Sequence, residues 1–275
     1  MSKARTTDRD PTQAREIALC RSALSGALSL AFHHPTAEIL AVLSSEKTRV
    51  GILQAASLLD EQGGNPEPIA TDSLPEDRPL NLVSKAESWL GSSSSLSLDE
   101  LLSAHGRLFG HTARGLVCPY ETEYGQEGLF QQPAQLANLT GIYGLFGLKV
   151  RQVERERPDH ISCELEFWEF LLKKQAYALE HRDESMEKET RKATRLFLKE
   201  HLGRFGRAFG AQMKKHDREG FMGKAGDFTF EFLTVECHRL DLEPGLMQLP
   251  LRSTAEDQVP MACGGGESDL VQLGS

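Results

Sequence analysis

The residues best suited to chemistry in this 275-residue chain lie in two short segments, of which the first is CPYETEYG, residues 118–125. Tyr120, Glu121 and Tyr124 follow Pro119 there. Tyrosine rings stack on apolar groups and a carboxylate takes a guanidinium bidentately, so this composition favours a site for a cationic, partly apolar peptide. The structural alternative is that Pro119 makes a turn and both tyrosine rings are simply buried.

The second segment is RPDHISCELEFWEFLL, residues 157–172. The proline keeps the residue before it out of a helix, and Asp159 is predicted to cap the helix that follows. His160 would then lie in the first turn, where the helix dipole disfavours an imidazolium and a neighbouring carboxylate favours it. Glu164 adds acid to the same helix start. The structural alternative is a capped helix whose polar face meets solvent.

Histidine spacing does not indicate a metal site. No histidine follows a glutamate by three residues, and HExxH is absent. His160 and Cys163 are spaced as i and i+3, but two ligands on one helix are weak evidence. We therefore expect no stoichiometric metal and no cofactor. A metal-dependent helical hydrolase using His160 with Asp159 and Glu164 is the alternative.

The elements that position these segments are predicted to be helices. Apolar residues make up 39% of the chain and aromatic residues only 7%, and Leu and Ala dominate the apolar set, which favours helix over sheet. Apolar periodicity predicts helices over 14–32, 36–60 with Thr36 as N-cap, a short one ending at Trp89 and Leu90, 98–109 closed by Gly110, 129–146, 160–180, 186–213, and one holding Phe228, Phe232 and Val235.

The predicted architecture is all-α. One helical-bundle domain spans 14–240, with irregular connectors such as the Gly- and Pro-rich stretch 63–79. Two prolines and CGGGESD predict a poorly ordered, flexible C-terminal tail over 241–275.

Charge limits the possible partners. The net charge of -9 argues against a general nucleic-acid binder, because duplex affinity depends on cations that displace counterions from phosphate. Residues 188–218 nevertheless hold ten Lys or Arg against three Asp or Glu. Such a stretch is either a solvated helix face or a surface for an acidic partner. A helical adaptor that binds through this face is a third functional class.

The cysteines and the first residues predict a cytoplasmic protein. The chain has five cysteines, an odd number, and no CxxC pair, which fits reduced thiols rather than a disulfide framework. MSKARTTDRDPTQAR lacks the apolar core of a secretory signal. The longest uncharged stretch, 128–148, holds a proline and several Gln and Asn residues, so no stable membrane insertion is expected.

The two segments together resemble the TorD/DmsD/NarJ family of cytoplasmic chaperones for molybdenum-containing oxidoreductases. The family pattern has an LF-G element before a proline-tyrosine-glutamate-small-x-tyrosine loop, filled here by Leu108, Phe109, Gly110, Pro119, Tyr120, Glu121, Thr122 and Tyr124. It also has a P-D-H element before a helix that begins E-L-E-F, filled by Pro158, Asp159, His160, Glu164, Leu165, Glu166 and Phe167. Cys118 and Trp168 depart from the common family residues, proline and methionine.

The resemblance implies a TorD-like helical chaperone without catalytic activity. Its implied partner is the apo form of a molybdopterin-containing oxidoreductase, bound through its signal peptide or N-terminal segment during cofactor insertion, assembly and export. The implied peptide-binding residues are Pro119, Tyr120, Glu121, Tyr124, Asp159, His160 and Glu164, which form one groove if the two segments converge in space. Neither the client, nor whether its leader carries twin arginines, nor the choice between monomer and homodimer follows from the sequence.

Overall fold

The computed structural model describes residues 10–63, 81–93, 96–110, 115–125, 131–150 and 156–252. The regular structure of these ranges is helical, with two isolated β-bridges and no strand among them, so the predicted all-α class is confirmed. The α-helices are α1 (Pro11–Phe32), α2 (Ala37–Leu43), α3 (Glu46–Gly63), α4 (Leu82–Gly91), α5 (Leu98–Phe109), α6 (Gln132–Leu145), α7 (Ile161–Glu180), α8 (Glu184–Phe197), α9 (Gly203–His216) and α10 (Phe221–Arg239). The predicted connector over 64–79 and the tail beyond 252 lie outside the described residues.

Several helix ends follow from local hydrogen bonding. Thr36 caps α2 as predicted, since its hydroxyl accepts from the backbone N–H of Ile39. A capping box between Ser97 and Glu100 begins α5. Gly110 ends that helix with a φ of 82°, a left-handed value that glycine adopts without strain. The bounds of α5 are therefore those that the sequence predicted.

Two predicted helices are interrupted. The helix predicted over 36–60 breaks after Leu43, because the hydroxyl of Ser45 accepts from the backbone N–H of Thr48 and begins α3 anew. The helix predicted over 186–213 contains a π-helical segment, Leu198–Leu202, that joins α8 to α9. Apolar spacing alone does not reveal either break, since the core-facing side chains continue through both.

The helices pack in pairs through small residues and one buried ion pair. α1 lies along α7, and the hydroxyls of Ser25 and Ser29 donate to backbone carbonyls of α7. Arg21 of α1 forms a bidentate pair with Glu236 of α10, with Nη2 2.6 Å from Oε2. Both side chains are almost fully buried. Within the described ranges, no helix is long and apolar enough to cross a membrane.

Residues 241–252, which we call the C-terminal segment, are ordered against the bundle. Leu242 is buried, and the guanidinium groups of Arg195 and Arg207 donate to backbone carbonyls of this region. Gly245 lies so close to α9 that a Cβ atom there would meet the carbonyl oxygen of Gly203 at 2.2 Å. Residues 241–252 of the expected flexible tail therefore contact the bundle, because helix-borne arginines bind carbonyls that follow α10, and the bounds of the tail, 241–275, stay a prediction.

The close crossing of α9 and α10 gives a stability prediction. At Gly210 a Cβ atom would lie 2.6 Å from the backbone oxygen of Gly226, whereas at Gly141 on α6 it would meet nothing within 4 Å. Gly210→Ala should lower the free energy of unfolding by about 1–3 kcal/mol through overpacking. Gly141→Ala should raise it by roughly 0.5–1 kcal/mol through helix propensity. Urea denaturation measures both, and equal effects at the two positions would contradict the described packing.

Candidate functional site

The two predicted segments meet in space. Residues 117–125, which we call the site loop, lie against the start of α7, where the backbone N–H of Ile161 donates to Pro119 O at 2.8 Å and that of Glu121 to Asp159 O at 2.9 Å. Tyr120 and His160 form an antiparallel bridge, and their rings stand edge to face with centroids 5.3 Å apart. The structure thus brings all seven predicted residues into one junction between loop and helix.

Asp159 is the centre of this junction. Its side chain is fully buried, and Oδ2 accepts from the backbone N–H and the hydroxyl of Thr122 at 3.1 and 2.7 Å. The guanidinium of Arg157 binds both of its carboxylate oxygens. The predicted capping role is wrong, because His160 is the N-cap of α7 and Asp159 precedes it. The carboxylate instead fixes the site loop to the helix start.

Glu121 forms the second charged contact of the junction. It is buried at the 3₁₀ turn Glu121–Glu123, and Nδ1 of His201 lies 3.0 Å from its Oε2. Arg204 donates to its Oε1 from Nη2 at 3.1 Å. His201 lies in the π-helical segment and Arg204 in the first turn of α9. A part of the basic stretch 188–218 is therefore used to neutralise this carboxylate inside the protein.

Glu164 is a fully buried acid on the first turn of α7. Both of its carboxyl oxygens are buried, close to the carboxylate of Glu121. Burial raises its pKa well above the ordinary value of 4.5, and the nearby carboxylates of Glu121 and Asp159 raise it further. Glu164 therefore keeps its proton to a higher pH than an exposed glutamate does, which reduces the repulsion among three acids in one buried space.

His160 is neutral and structural. Its Nδ1 accepts from the backbone N–H of Ser162 at 3.2 Å and lies 2.7 Å from the Ser162 hydroxyl. Burial and, after it, the neighbouring side chains of His33, His105 and Arg157 together lower its pKa from 6.5 to about 3. The sequence did not determine whether this histidine is charged. Its burial at the N-cap of α7 keeps it neutral.

The predicted tyrosines behave differently from each other. Tyr124 is buried and its hydroxyl donates to Cys118 O at 2.7 Å, as the structural alternative expected. Tyr120 is only partly buried, and Arg157 stacks over its ring with Cζ 4.5 Å from the centroid. The side chain of Arg157 is 36% exposed, and Leu116, the residue before the site loop, is 51% exposed. Tyr120 and Arg157 form the open edge of the junction.

The acids of the predicted groove do not face solvent. Glu121, Asp159 and Glu164 are buried, and the first two are already paired with cations of the same chain. A guanidinium from a bound peptide reaches them only if the site loop moves. A peptide-binding role for the seven residues stays a prediction, with Tyr120 as the member whose side chain is partly open.

Sequence reasoning missed the cations that make the junction possible. Arg157, His201 and Arg204 provide them, and Gln132 adds an amide that donates to Thr122 O at 3.2 Å. The sequence could have indicated one of them, because Arg157 lies only two residues before Asp159. His201 and Arg204 are distant in sequence and were interpreted only as part of a basic helix.

The hydrolase alternative gains no support from this geometry. His160 and Asp159 are buried and committed to the helix cap and the site loop, so a substrate does not reach them in this conformation. No group of three or more potential metal ligands occurs in the described ranges. The four described cysteines are free thiols, and burial raises the pKa of Cys163 to about 12.

The raised pKa of Glu164 predicts a pH-dependent stability. Above about pH 4.5 the unfolded chain releases this proton while the folded protein keeps it, so the wild type loses up to about 1.4 kcal/mol per pH unit until the raised pKa is reached. Glu164→Gln cannot ionise and lacks this loss. Its stability relative to the wild type should therefore rise between pH 5 and pH 8 in urea denaturation. Glu166→Gln, exposed on the same helix, is the control; a pH-independent difference for Glu164→Gln would contradict the assignment.

His160 predicts the opposite pH trend. Its folded pKa of about 3 lies below the ordinary 6.5, so the wild type loses stability as pH falls below 6.5, by up to about 1.4 kcal/mol per unit. Asn is a good N-cap without a proton to gain, so His160→Asn should be less sensitive to acid between pH 7 and pH 5. Thermal unfolding of this variant and of His181→Asn, an exposed histidine at the other end of α7, tests the expectation. Equal acid sensitivity in wild type and His160→Asn would overturn it.

Comparison with known proteins agrees with the resemblance inferred from the two segments. A family model described as nitrate reductase delta subunit matches residues 76–211, a range that includes the site loop, the start of α7 and the π-helical segment. No curated protein matches the chain. The matched family is one of chaperones rather than enzymes. Residues 76–211 of the chain match the nitrate reductase delta subunit family, the NarJ-type, TorD-like chaperones of molybdoenzyme maturation.

Proposed function

We propose that this protein binds the signal peptide or N-terminal segment of an apo-molybdoenzyme subunit, of the nitrate reductase type, and holds it until the molybdopterin cofactor is inserted. The observation that carries the proposal is that the family match, residues 76–211, contains both halves of the junction. The protein would act in the cytoplasm, without catalysis of its own, as a monomer or homodimer. Assistance in the client's assembly and export belongs to the same proposal.

The open edge of the junction supplies suitable contacts. A leader of the twin-arginine kind would combine arginines with apolar residues. Tyr120 offers it a ring, Leu116 an apolar side chain, and Glu123, which also binds Arg157, an acid. We infer that the buried acids act as positioning residues, because they hold the loop that carries Tyr120. In this proposal the domain comprises residues 14–240, with the C-terminal segment packed onto it.

A matched pair of tyrosine variants tests the proposal. Tyr120→Ala should reduce recovery of the client from the native host and weaken binding of its N-terminal peptide by about tenfold, because partly buried aromatic residues often dominate binding energy. Tyr177→Ala removes a tyrosine that is 52% exposed elsewhere, on α7, and should leave binding unchanged. Affinity capture with mass spectrometry and isothermal titration calorimetry give the two measurements.

Other outcomes would identify a different function. Client recovery that survives Tyr120→Ala but falls when Lys214 and Lys215 are changed to Gln would favour an adaptor that binds through the basic helix face. Failure of the wild type to recover any molybdoenzyme subunit would contradict the proposal itself.

A further inference from the structure

The C-terminal segment pairs with the site loop as a short strand would. Tyr124 and Leu251 form an antiparallel bridge. The backbone N–H of Gly125 donates to Pro250 O at 2.9 Å, and that of Arg252 donates to Glu123 O at 2.8 Å. Because these bonds join main-chain atoms, they would form equally with any extended segment placed there. The loop therefore presents a peptide-binding edge, and the protein's own chain covers it.

The side chain of Arg252 adds selectivity to this pairing. Arg252 is only 4% exposed, and its Nη2 donates to Oε1 of Gln135 on α6 at 2.9 Å. The residues before it, LMQLPL, are apolar except for one glutamine, and Leu249 packs against the core. The occupant of the loop edge is thus an extended, apolar segment that ends in a buried arginine.

The last part of this segment is only partly buried. Arg195 and Arg207 bind carbonyls at residues 240–245, which fixes the start of the segment. Beyond it, Leu246 is 65% and Leu251 40% exposed. Release of residues 246–252 would therefore expose little further surface of these two leucines, and its cost would lie mainly in the lost contacts of Leu249 and Arg252.

We propose that the surface formed by Glu123, Gly125 and Gln135 is the docking surface for the client's N-terminal segment, and that residues 246–252 occupy it as an internal stand-in that the client displaces. The inference rests on the proposed function and assigns it a location. The chemistry of the occupant supports the assignment, because an arginine among apolar residues is the composition expected of the client leader. The client binds in extended form, with main-chain bonds to Glu123 and Gly125 and an arginine at Gln135.

The first test frees the docking surface by changing its occupant. Arg252→Glu removes the buried arginine, and Arg218→Glu makes the same charge change at a side chain that is 84% exposed. Two probes are titrated by calorimetry: an amidated peptide copying residues 244–252, PGLMQLPLR, and the N-terminal peptide of the molybdoenzyme subunit recovered from the native host. If the segment occupies the surface more than about 90% of the time, both probes should bind Arg252→Glu about tenfold or more tightly than the wild type.

The control variant should show no change, and unchanged binding by Arg252→Glu would contradict the inference. Arg218→Glu should bind both probes as the wild type does. Unchanged affinity of a folded Arg252→Glu, with its helical circular dichroism intact, would overturn the inference while the proposed function stands. If the client peptide binds no form of the protein, the proposed function fails, and the 244–252 probe still reports whether the surface accepts an extended arginine segment.

Hydrogen exchange of the wild type gives a second test that does not depend on a variant folding. On saturation with the client peptide, the amide of Arg252 should exchange faster, because its bond to Glu123 O is lost. The amide of Gly125 should stay protected, because the peptide replaces Pro250 as its acceptor. If both amides keep their exchange rates while the client peptide is bound, the client binds elsewhere and the inference is wrong.

Discussion

The cost of burying the Asp159 carboxylate is the constraint on which the junction depends. A carboxylate without water must be neutralised and hydrogen-bonded, since an isolated buried charge costs several kcal/mol. Here Thr122 of the site loop donates hydrogen bonds to the carboxylate. Arg157, two residues before Asp159, supplies a guanidinium that also reaches Glu123. If the loop took another path, this buried carboxylate would lose the two hydrogen bonds that Thr122 donates to it. The bridge between Tyr120 and His160 and the position of the open edge follow from this requirement.

A second group of charged side chains connects the same loop to the π-helical segment and α9. Glu121 is held by His201 and Arg204, which come from the π-helical segment and α9. Glu164 lies beside this group, and its pKa is raised by burial and by these neighbouring carboxylates. The loop thus connects α7 to α9 through polar contacts, while the aromatic core packs beneath it. Tyr124 of the loop contacts Phe205 of this core, with ring centroids 5.6 Å apart.

The sequence predicted most of the fold because helix signals are local. The Thr36 cap, the Gly110 stop and the bounds of α5 and α7 all depend on residues within a turn of each other. Predictions about Asp159 and Glu121 were less complete, because the partners of a buried charge are chosen by tertiary packing. Arg204 is 83 residues from Glu121, and no periodicity relates the two. The order of the C-terminal segment was missed for the same reason: its anchors, Arg195 and Arg207, looked like surface charges.

The π-helical segment Leu198–Leu202 affects how a change in the number of residues between α8 and α9 alters the direction of the side chains on α9. Each residue added to or removed from a helix turns everything beyond it by about 100°, since an α-helix has 3.6 residues per turn. A π turn holds one more residue than the α turn that it replaces. Removal of a single residue here would let α8 and α9 run on as one regular helix and would leave the direction of Arg204 nearly unchanged, whereas removal of a residue from a regular turn of α8 would rotate Arg204 away from Glu121. We therefore expect relatives of this protein to differ in length by one residue within these five residues more readily than within the regular turns of α8.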